Sequence, residues 1–238
     1  MKTRKFTGFR AAFQVCFEHA KCEMIAAMRV IVVEDMIMFR ELVTKACREG
    51  GHEVVGETGT GQEALALCRQ LRPDVLLLDL GLPDLEGSVV VERLGFPLKI
   101  VIVSAHTEAF WLRRIERISV HGFIDKNVEM VAAIGRTLSY IEQGRSWFSP
   151  TYLRAKDMRR RNPDCFTKKL TDREQNVLAC IARGLSNRDI GLRLGIALRT
   201  VEDHRSNIMH KLDIENSAKL VAFAVREGLN QYELGIAR

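Results

Sequence analysis

The sequence contains no apolar run longer than about six residues, far short of the ~20 that a membrane-spanning helix requires. Its six cysteines, at positions 16, 22, 47, 68, 165 and 180, include no Cys-x-x-Cys pair. Three of them fall inside apolar helical patterns, which argues against zinc and a disulfide framework and for a reducing compartment. The N-terminal segment also lacks the continuous apolar core of a secretory signal. These absences argue against a membrane protein and a cystine-stapled secreted one, and they set the expected location as the cytoplasm.

The 238 residues are 47% apolar, enough for two small domains with real cores. The net charge of +6 is unevenly spread: residues 1–27 carry +3, 28–148 carry −3, 149–165 carry +3 and 166–238 carry +3. An acidic middle followed by a basic end implies two domains, the second facing a polyanion.

Within residues 28–148, apolar stretches at 29–33, 53–55, 75–78, 100–103 and 122–124 alternate with amphipathic segments near 37–49, 61–71, 88–94, 108–117 and 128–143. Five strands alternating with five helices predict an α/β domain with a doubly wound parallel sheet. In such sheets chemistry sits at the carboxyl ends of the strands. There the sequence puts Glu34 and Asp35 after the first strand, Asp79 after the third, Ser104 after the fourth and Lys126 just after the fifth. The third strand, Val75–Leu78, reads as buried on both faces, yet it runs into a carboxylate that burial penalises unless a charge stands beside it. Singly, each residue has an ordinary reading as loop acid, helix cap or solvated lysine. Their recurrence at successive strand ends is the signal.

The order Glu34-Asp35, then Asp79-x-x-x-Pro83, Ser104-Ala105 and Asp125-Lys126, resembles the receiver domain of bacterial response regulators. So do the loop DLGLPDLEG and the spacing from Phe123 to Lys126. The resemblance covers about 120 residues and implies a flavodoxin-like fold with Asp79 as phosphoacceptor. It further implies that Glu34, Asp35, Asp79 and the backbone carbonyl of Gly81 hold Mg²⁺. Ser104 becomes the switch hydroxyl, Lys126 the phosphate-contacting lysine and Phe123 the switch aromatic, with an ordinary core aromatic as the alternative for Phe123. Elementary chemistry points the same way, because a hard octahedral cation prefers a few carboxylates, a carbonyl and phosphate oxygens. A carboxylate so placed can attack phosphorus while the cation offsets the charge on the transferred group.

Two rivals are weighed. An apolar strand ending in Asp also opens phosphatases of the haloacid-dehalogenase type, but those need a second Asp two residues on as general acid, and here Gly81 stands there. No independent enzymatic turnover is therefore expected. A receiver serving only as a passive dimerisation module would not need the intact acidic pair, Ser104 and Lys126.

Residues 142–169 lack sustained periodicity and carry Pro150, Pro163 and the run Arg159-Arg160-Arg161, which reads as a linker with a helical turn near 150–158. The arginines suit a solvated hinge better than a phosphate contact. From Leu170 the pattern turns helical. TDRE, SNRD and TVED each have the form of a capping box, which predicts helix starts at Thr171, Ser186 and Thr200. Gly184 and Gly195 fall where the preceding helices should stop, and a fourth helix should begin near Asn216 or Ser217 and end before Gly228. The second and third helices, joined by a turn at 195–199, form a helix-turn-helix.

The stretch from Leu170 to Leu212 resembles the LuxR-type DNA-binding domain, so the whole chain resembles a response regulator of the NarL/FixJ kind. One departure is Gly191, where the family more often has Ala; glycine there costs a helix up to ~1 kcal/mol. Projection of the recognition helix from Thr200 puts Val201, Ile208 and Leu212 on a packing face, with His204 and Arg205 at its margins, and Glu202, Asp203, Ser206, Asn207 and His210 opposite. The resemblance brings positions 202, 203 and 206 to base edges. Asp203, three residues after Thr200, suits a capping role. Glu202 either accepts from a cytosine amino group or pairs with Arg199 or Arg205, the ion pair being preferred. Phosphate anchoring is assigned to Lys168, Lys169, Arg188, Arg205 and Lys211, and Arg199 and Thr200 complete the expected DNA-contact set. The resemblance makes Ala218, Val221 and Val225 of the last helix a dimer contact, with plain core as the alternative.

Residues 1–27 carry Phe6, Phe9, Phe13 and Phe17 at helical spacing. They form either a small amphipathic appendage or an over-extended start with Met28 as initiator, the latter preferred. The expected organisation is an extension to 27, a receiver at 28–144, a linker at 145–167 and a small all-α four-helix helix-turn-helix domain at 168–238. The expected partners are a sensor histidine kinase, double-stranded promoter DNA and a second copy of the chain, with RNA polymerase a further candidate.

Overall fold

A computed structural model describes residues 27–128 and 130–231. The proposed N-terminal appendage with its four phenylalanines lies outside the described residues. The first half alternates β1 (Arg29–Val33), α1 (Ile37–Glu49), β2 (Glu53–Thr58), α2 (Gly61–Leu71), β3 (Val75–Leu78), α3 (Gly87–Leu94), β4 (Lys99–Ser104), α4 (Ala109–Ile115), β5 (Gly122–Asp125) and α5 (Met130–Glu142). Every strand expected from an apolar run is present. A sixth, β6 (Trp147–Phe148), extends the sheet beyond the expected five and occupies the start of the segment read as linker. The strand order is β2-β1-β3-β4-β5-β6, and all pairs are parallel.

Because side chains alternate along a strand, each strand feeds two cores. Val30, Val32, Val75, Leu77, Val101, Val103 and Ile124 pack against α1 and α5 through Val43, Cys47, Ile134 and Leu138. Ile31, Val33, Leu76, Leu78, Ile102 and Phe123 pack on the other face with Leu65 and Cys68 of α2, Val90 of α3 and Phe110 and Leu112 of α4. Helices on both faces explain why β1 and β3 read as uninterrupted apolar runs. The four cysteines at 47, 68, 165 and 180 are buried free thiols, and burial pushes Cys47 and Cys68 up to about 12.

The linker is more ordered than its composition suggests. Ser149 caps α6 (Pro150–Arg161) by accepting from the Tyr152 amide, and proline occupies the first turn, where its missing N–H costs nothing. A single turn, α7 (Phe166–Lys169), leads into α8 (Asp172–Ala182), α9 (Asn187–Leu194), α10 (Leu198–Leu212) and α11 (Ser217–Arg226), followed by a short 3₁₀ turn at Leu229–Gln231. Thr171 and Glu174 form the expected reciprocal capping box, and Ser186 and Asn216 cap α9 and α11.

The expected start at Thr200 is corrected. The recognition helix α10 begins at Leu198, with Ala197 at the N-cap and no side-chain cap. The turn between α9 and α10 is only Gly195–Ala197, tightened by a hydrogen bond from the Ile196 amide to the Gly191 carbonyl (3.0 Å). Closure of the turn at the carboxyl end of α9 therefore overrides the capping-box signal. No helix among the described residues is long and apolar enough to cross a membrane.

Candidate functional site

The strand ends converge as the topology requires. The Asp79 amide donates to the Val33 carbonyl (2.9 Å), and the Lys126 amide donates to the Ser104 carbonyl (3.0 Å), so β1 fixes Asp79 and β4 fixes Lys126. Glu34, Asp35 and Asp79 each direct a carboxylate oxygen into one cluster, all within 4.8 Å of one another. Lys126 Nζ lies 2.6 Å from Glu34 Oε2 and 2.8 Å from Asp79 Oδ2. The other Asp79 oxygen, Oδ1, accepts from the Leu80 amide at 2.7 Å. Glu34 and Asp79 are buried, whereas Asp35 stands at the open side.

The electrostatics are those of an over-filled acidic site. Burial, reinforced by Asp79, pushes Glu34 up to about 7 against the pull of Lys126. Burial pulls the Lys126 ammonium down, but Asp79 and Glu34 outweigh it and hold it above the ordinary lysine value. Three carboxylates facing one ammonium leave room for another positive charge. The donors are hard oxygens, so the cluster suits a hard divalent cation and not a soft thiophilic one.

The loop after Asp79 is held by features the motif did not announce. The Gly87 amide donates to the Leu80 carbonyl (3.0 Å), and a Cβ at Gly87 would stand 2.4 Å from the Asp79 carbonyl oxygen. Only glycine allows the loop to fold back so closely. Asp84 then caps α2 by accepting from the amides of Gly61 (2.7 Å) and Gln62 (2.9 Å). At Gly81 the constraint is loose, since a Cβ there would lie 4.0 Å from Asp79 Oδ2.

Ser104 is fully buried at the end of β4, and its hydroxyl oxygen accepts from the His106 amide (3.2 Å). Phe123 is also fully buried, but it points away from the acids into the core shared with α2, α3 and α4. There it stacks on Tyr152 with ring centroids 4.6 Å apart. Tyr152, with its two aromatic contacts, was not found from sequence; the Ser149-Pro150 helix start was the available clue.

In the C-terminal half, Glu202, Asp203 and Ser206 are exposed on α10. With Thr200 now inside the helix, Asp203 does not cap it. Arg199 pairs with both acids, at 3.6 Å to Glu202 and 3.4 Å to Asp203. The assigned phosphate anchors divide into two groups. Lys211 Nζ contacts both oxygens of buried Glu174 at 2.8 Å, Lys168 donates to the carbonyls of Arg160 (2.9 Å) and Asn162 (2.7 Å), and Lys169 pairs with Asp164 at 2.9 Å. Arg188 is exposed beside an open groove of about 370 Å³ that Leu192 and Leu198 also line, and Arg205 is half-buried on α10. Ala218, Val221 and Val225 share the open side of α11, while Leu220 and Ala224 take the core.

The two halves touch. Arg113 and Arg117 of the α4 region pair with Asp172, and Arg114 joins buried Glu86 (2.8 Å) to the Asn176 side chain (2.6 Å). These contacts leave the 202–206 face of α10 uncovered.

Comparison with known proteins supplies independent findings. Residues 30–135 match the profile of the response regulator receiver domain, and residues 168–224 match that of bacterial regulatory proteins of the luxR family. The chain is 27% identical over 206 residues to the transcription regulator BvgA of Bordetella pertussis, covering 84% of this chain and 98% of that protein. It is 29% identical over 211 residues to the response regulator VraR of Staphylococcus aureus, covering 86% and 99%. Among solved structures, RcsB of Salmonella typhimurium aligns with a TM-score of 0.66 at 20% identity over 84% of this chain and 98% of RcsB, a likeness of fold. RcsB bound to the promoter P1flhDC aligns with a TM-score of 0.64.

Proposed function

The chain belongs to the bacterial response regulators, a receiver domain followed by a LuxR-family DNA-binding domain, and from that premise we propose a transcription regulator switched by phosphorylation of Asp79. The observation that carries the proposal is the placement of Asp79 between Lys126, at 2.8 Å, and two further carboxylates within 4.8 Å. The phosphodonor is a sensor histidine kinase. The exposed Met36, Ile37 and Met38 beside Asp35, with exposed Val128 just past Lys126, give that protein an apolar rim next to the acceptor.

Glu34, Asp35, Asp79 and the Gly81 carbonyl would hold Mg²⁺, which when bound offsets the charge of the transferred phosphoryl oxygens. Asp79 supplies the attacking carboxylate oxygen. Lys126, 2.8 Å from that carboxylate, contacts the phosphoryl group once it is attached. The Ser104 hydroxyl turns from its own loop towards a phosphoryl oxygen, and Phe123 responds in the adjoining strand. Gly81 offers no proton donor, so turnover is limited to slow self-dephosphorylation.

The domain limits follow as 28–144 for the receiver, 145–167 for the linker and 168–238 for the DNA-binding domain. The 202–206 face of α10 meets base edges, with Arg188 and Arg205 on phosphates. Ala218, Val221 and Val225 join two copies on a two-fold site, and RNA polymerase is met at the promoter. The setting is the cytoplasm. The test is DNA binding by wild type and Asp79→Asn with and without acetyl phosphate. The wild type is expected to respond and the variant not; equal responses would refute the switch.

A further inference from the structure

The linker helix α6 follows directly on β6, the strand paired with β5, which carries the switch aromatic Phe123. The Ser149 amide donates to the Phe123 carbonyl (2.8 Å), Phe148 pairs with Phe123 in the sheet, and Ser149 caps the first turn of α6. One turn on, Tyr152 lays its ring on Phe123 at 4.6 Å and on Phe148 at 5.4 Å, both nearly parallel. Tyr152 is the only buried residue of α6; Ala155 is partly buried against the core, and Leu153 and Met158 are exposed. The attachment of α6 to the sheet therefore rests chiefly on this one side chain. The far half of α6 is held elsewhere: Arg159 pairs with Glu116 beyond α4, and Lys168 of the next module donates to the carbonyls of Arg160 and Asn162.

From this arrangement we propose that Tyr152 is a positioning residue that reads the state of Phe123 and passes it, through α6 as a rigid rod, to the DNA-binding domain. Two facts make this more than packing. Phe123 cannot change its ring position without breaking the stack on Tyr152, because both rings are buried to within 2%. And α6 cannot tilt at its first turn without moving the carbonyls that Lys168 caps at its last. Tyr152 also stands in the field of the Glu116–Arg159 pair, Glu116 raising its hydroxyl and Arg159 lowering it beneath the larger effect of burial. One side chain thus contacts the switch ring and neighbours the ion pair that ties the linker to α4. The relay rests on the phosphorylation reading above.

The experiment uses the full chain with Mg²⁺ and acetyl phosphate. It compares wild type, Tyr152→Leu and Tyr152→Phe by three readouts: phosphoryl incorporation at Asp79, hydrogen exchange across 149–161, and promoter-DNA affinity before and after phosphorylation. In the wild type, exchange across 149–161 is expected to change on phosphorylation. Tyr152→Leu should take up phosphate as the wild type does yet lose most of the phosphorylation-dependent change in DNA affinity, a drop of about tenfold in the response ratio. Tyr152→Phe keeps the ring and should restore it. A normal response in Tyr152→Leu, a lost one in Tyr152→Phe, or unchanged wild-type exchange across 149–161 with Asp79 phosphorylated would each overturn the relay. The last needs no variant and so stands even if Tyr152→Leu does not fold. Failure of the wild type to incorporate phosphate would instead overturn the phosphorylation reading, so the two failures are told apart.

Discussion

Replacing Gly191 by alanine sets helix propensity against packing. On propensity alone, Gly191→Ala in the middle of α9 should stabilise the helix by about 1 kcal/mol. The structure reverses the sign. A Cβ at Gly191 would stand 2.8 Å from the Ile196 carbonyl oxygen, which is backbone and closer than real Cβ contacts come. The same carbonyl belongs to the three-residue turn that launches α10, so relief requires moving the turn, and overpacking of this kind costs about 1–3 kcal/mol. The net expectation is a loss of about 1 kcal/mol, equivalent to a fall of roughly 4–8 °C in the midpoint of a module this small. Both tryptophans, Trp111 and Trp147, lie outside the C-terminal module, so their fluorescence would miss the effect. Far-ultraviolet circular dichroism during thermal unfolding, with hydrogen exchange across 187–212, reports it. A variant more stable than wild type by about 1 kcal/mol would show that the turn yields freely and that the close approach is not a constraint.

Lys126→Met removes the only ammonium beside buried Glu34 and Asp79 among the described residues and should cost the receiver about 3–5 kcal/mol without divalent cations. Urea unfolding followed by tryptophan fluorescence checks this, and an unchanged midpoint would refute it. Lys211→Ala should destabilise the C-terminal module by about 2 kcal/mol, because Glu174 then keeps its burial without its cation. Burial alone would raise Glu174, but Lys211 and Thr171 hold it below the ordinary carboxylate value. Its contribution is therefore present above that value and lost as pH falls, so the variant's acid transition should move towards neutrality. An acid titration of both proteins by circular dichroism decides, and coincident transitions would count against the pair.

How much was legible in the sequence depended on whether a feature leaves a local trace. Strands β1, β3, β4 and β5 are covered by helices and announce themselves as apolar runs, and the strand-end rule then gathered Glu34, Asp35, Asp79, Ser104 and Lys126 at one edge. β6 is two residues long and leaves no run to read. Helix α6 buries only Tyr152 among twelve residues and so shows no amphipathic period. Its real signal was the Ser149 cap with Pro150 behind it. The start of α10 failed for the opposite reason: TVED matched a capping box, but the closing of the Gly191–Ile196 turn fixed the helix three residues from the expected cap.

Charge was the hardest property to read, because a basic residue looks the same whether it awaits a phosphate or already serves the fold. Lys211 neutralises Glu174 between α8 and α10, and Lys168 closes the carboxyl end of α6. Position in a basic module alone assigns both to DNA. Lys169 is the intermediate case: its partner Asp164 is exposed, and such pairs are worth little and exchange readily for a stronger anion. Arg188 and Arg205 differ in having no ion pair among the described residues. The positive charge of the C-terminal region is thus partly internal wiring. Lys168 and Lys211 join the linker helix and the recognition helix to one scaffold, and the proposed relay from Asp79 depends on that joining.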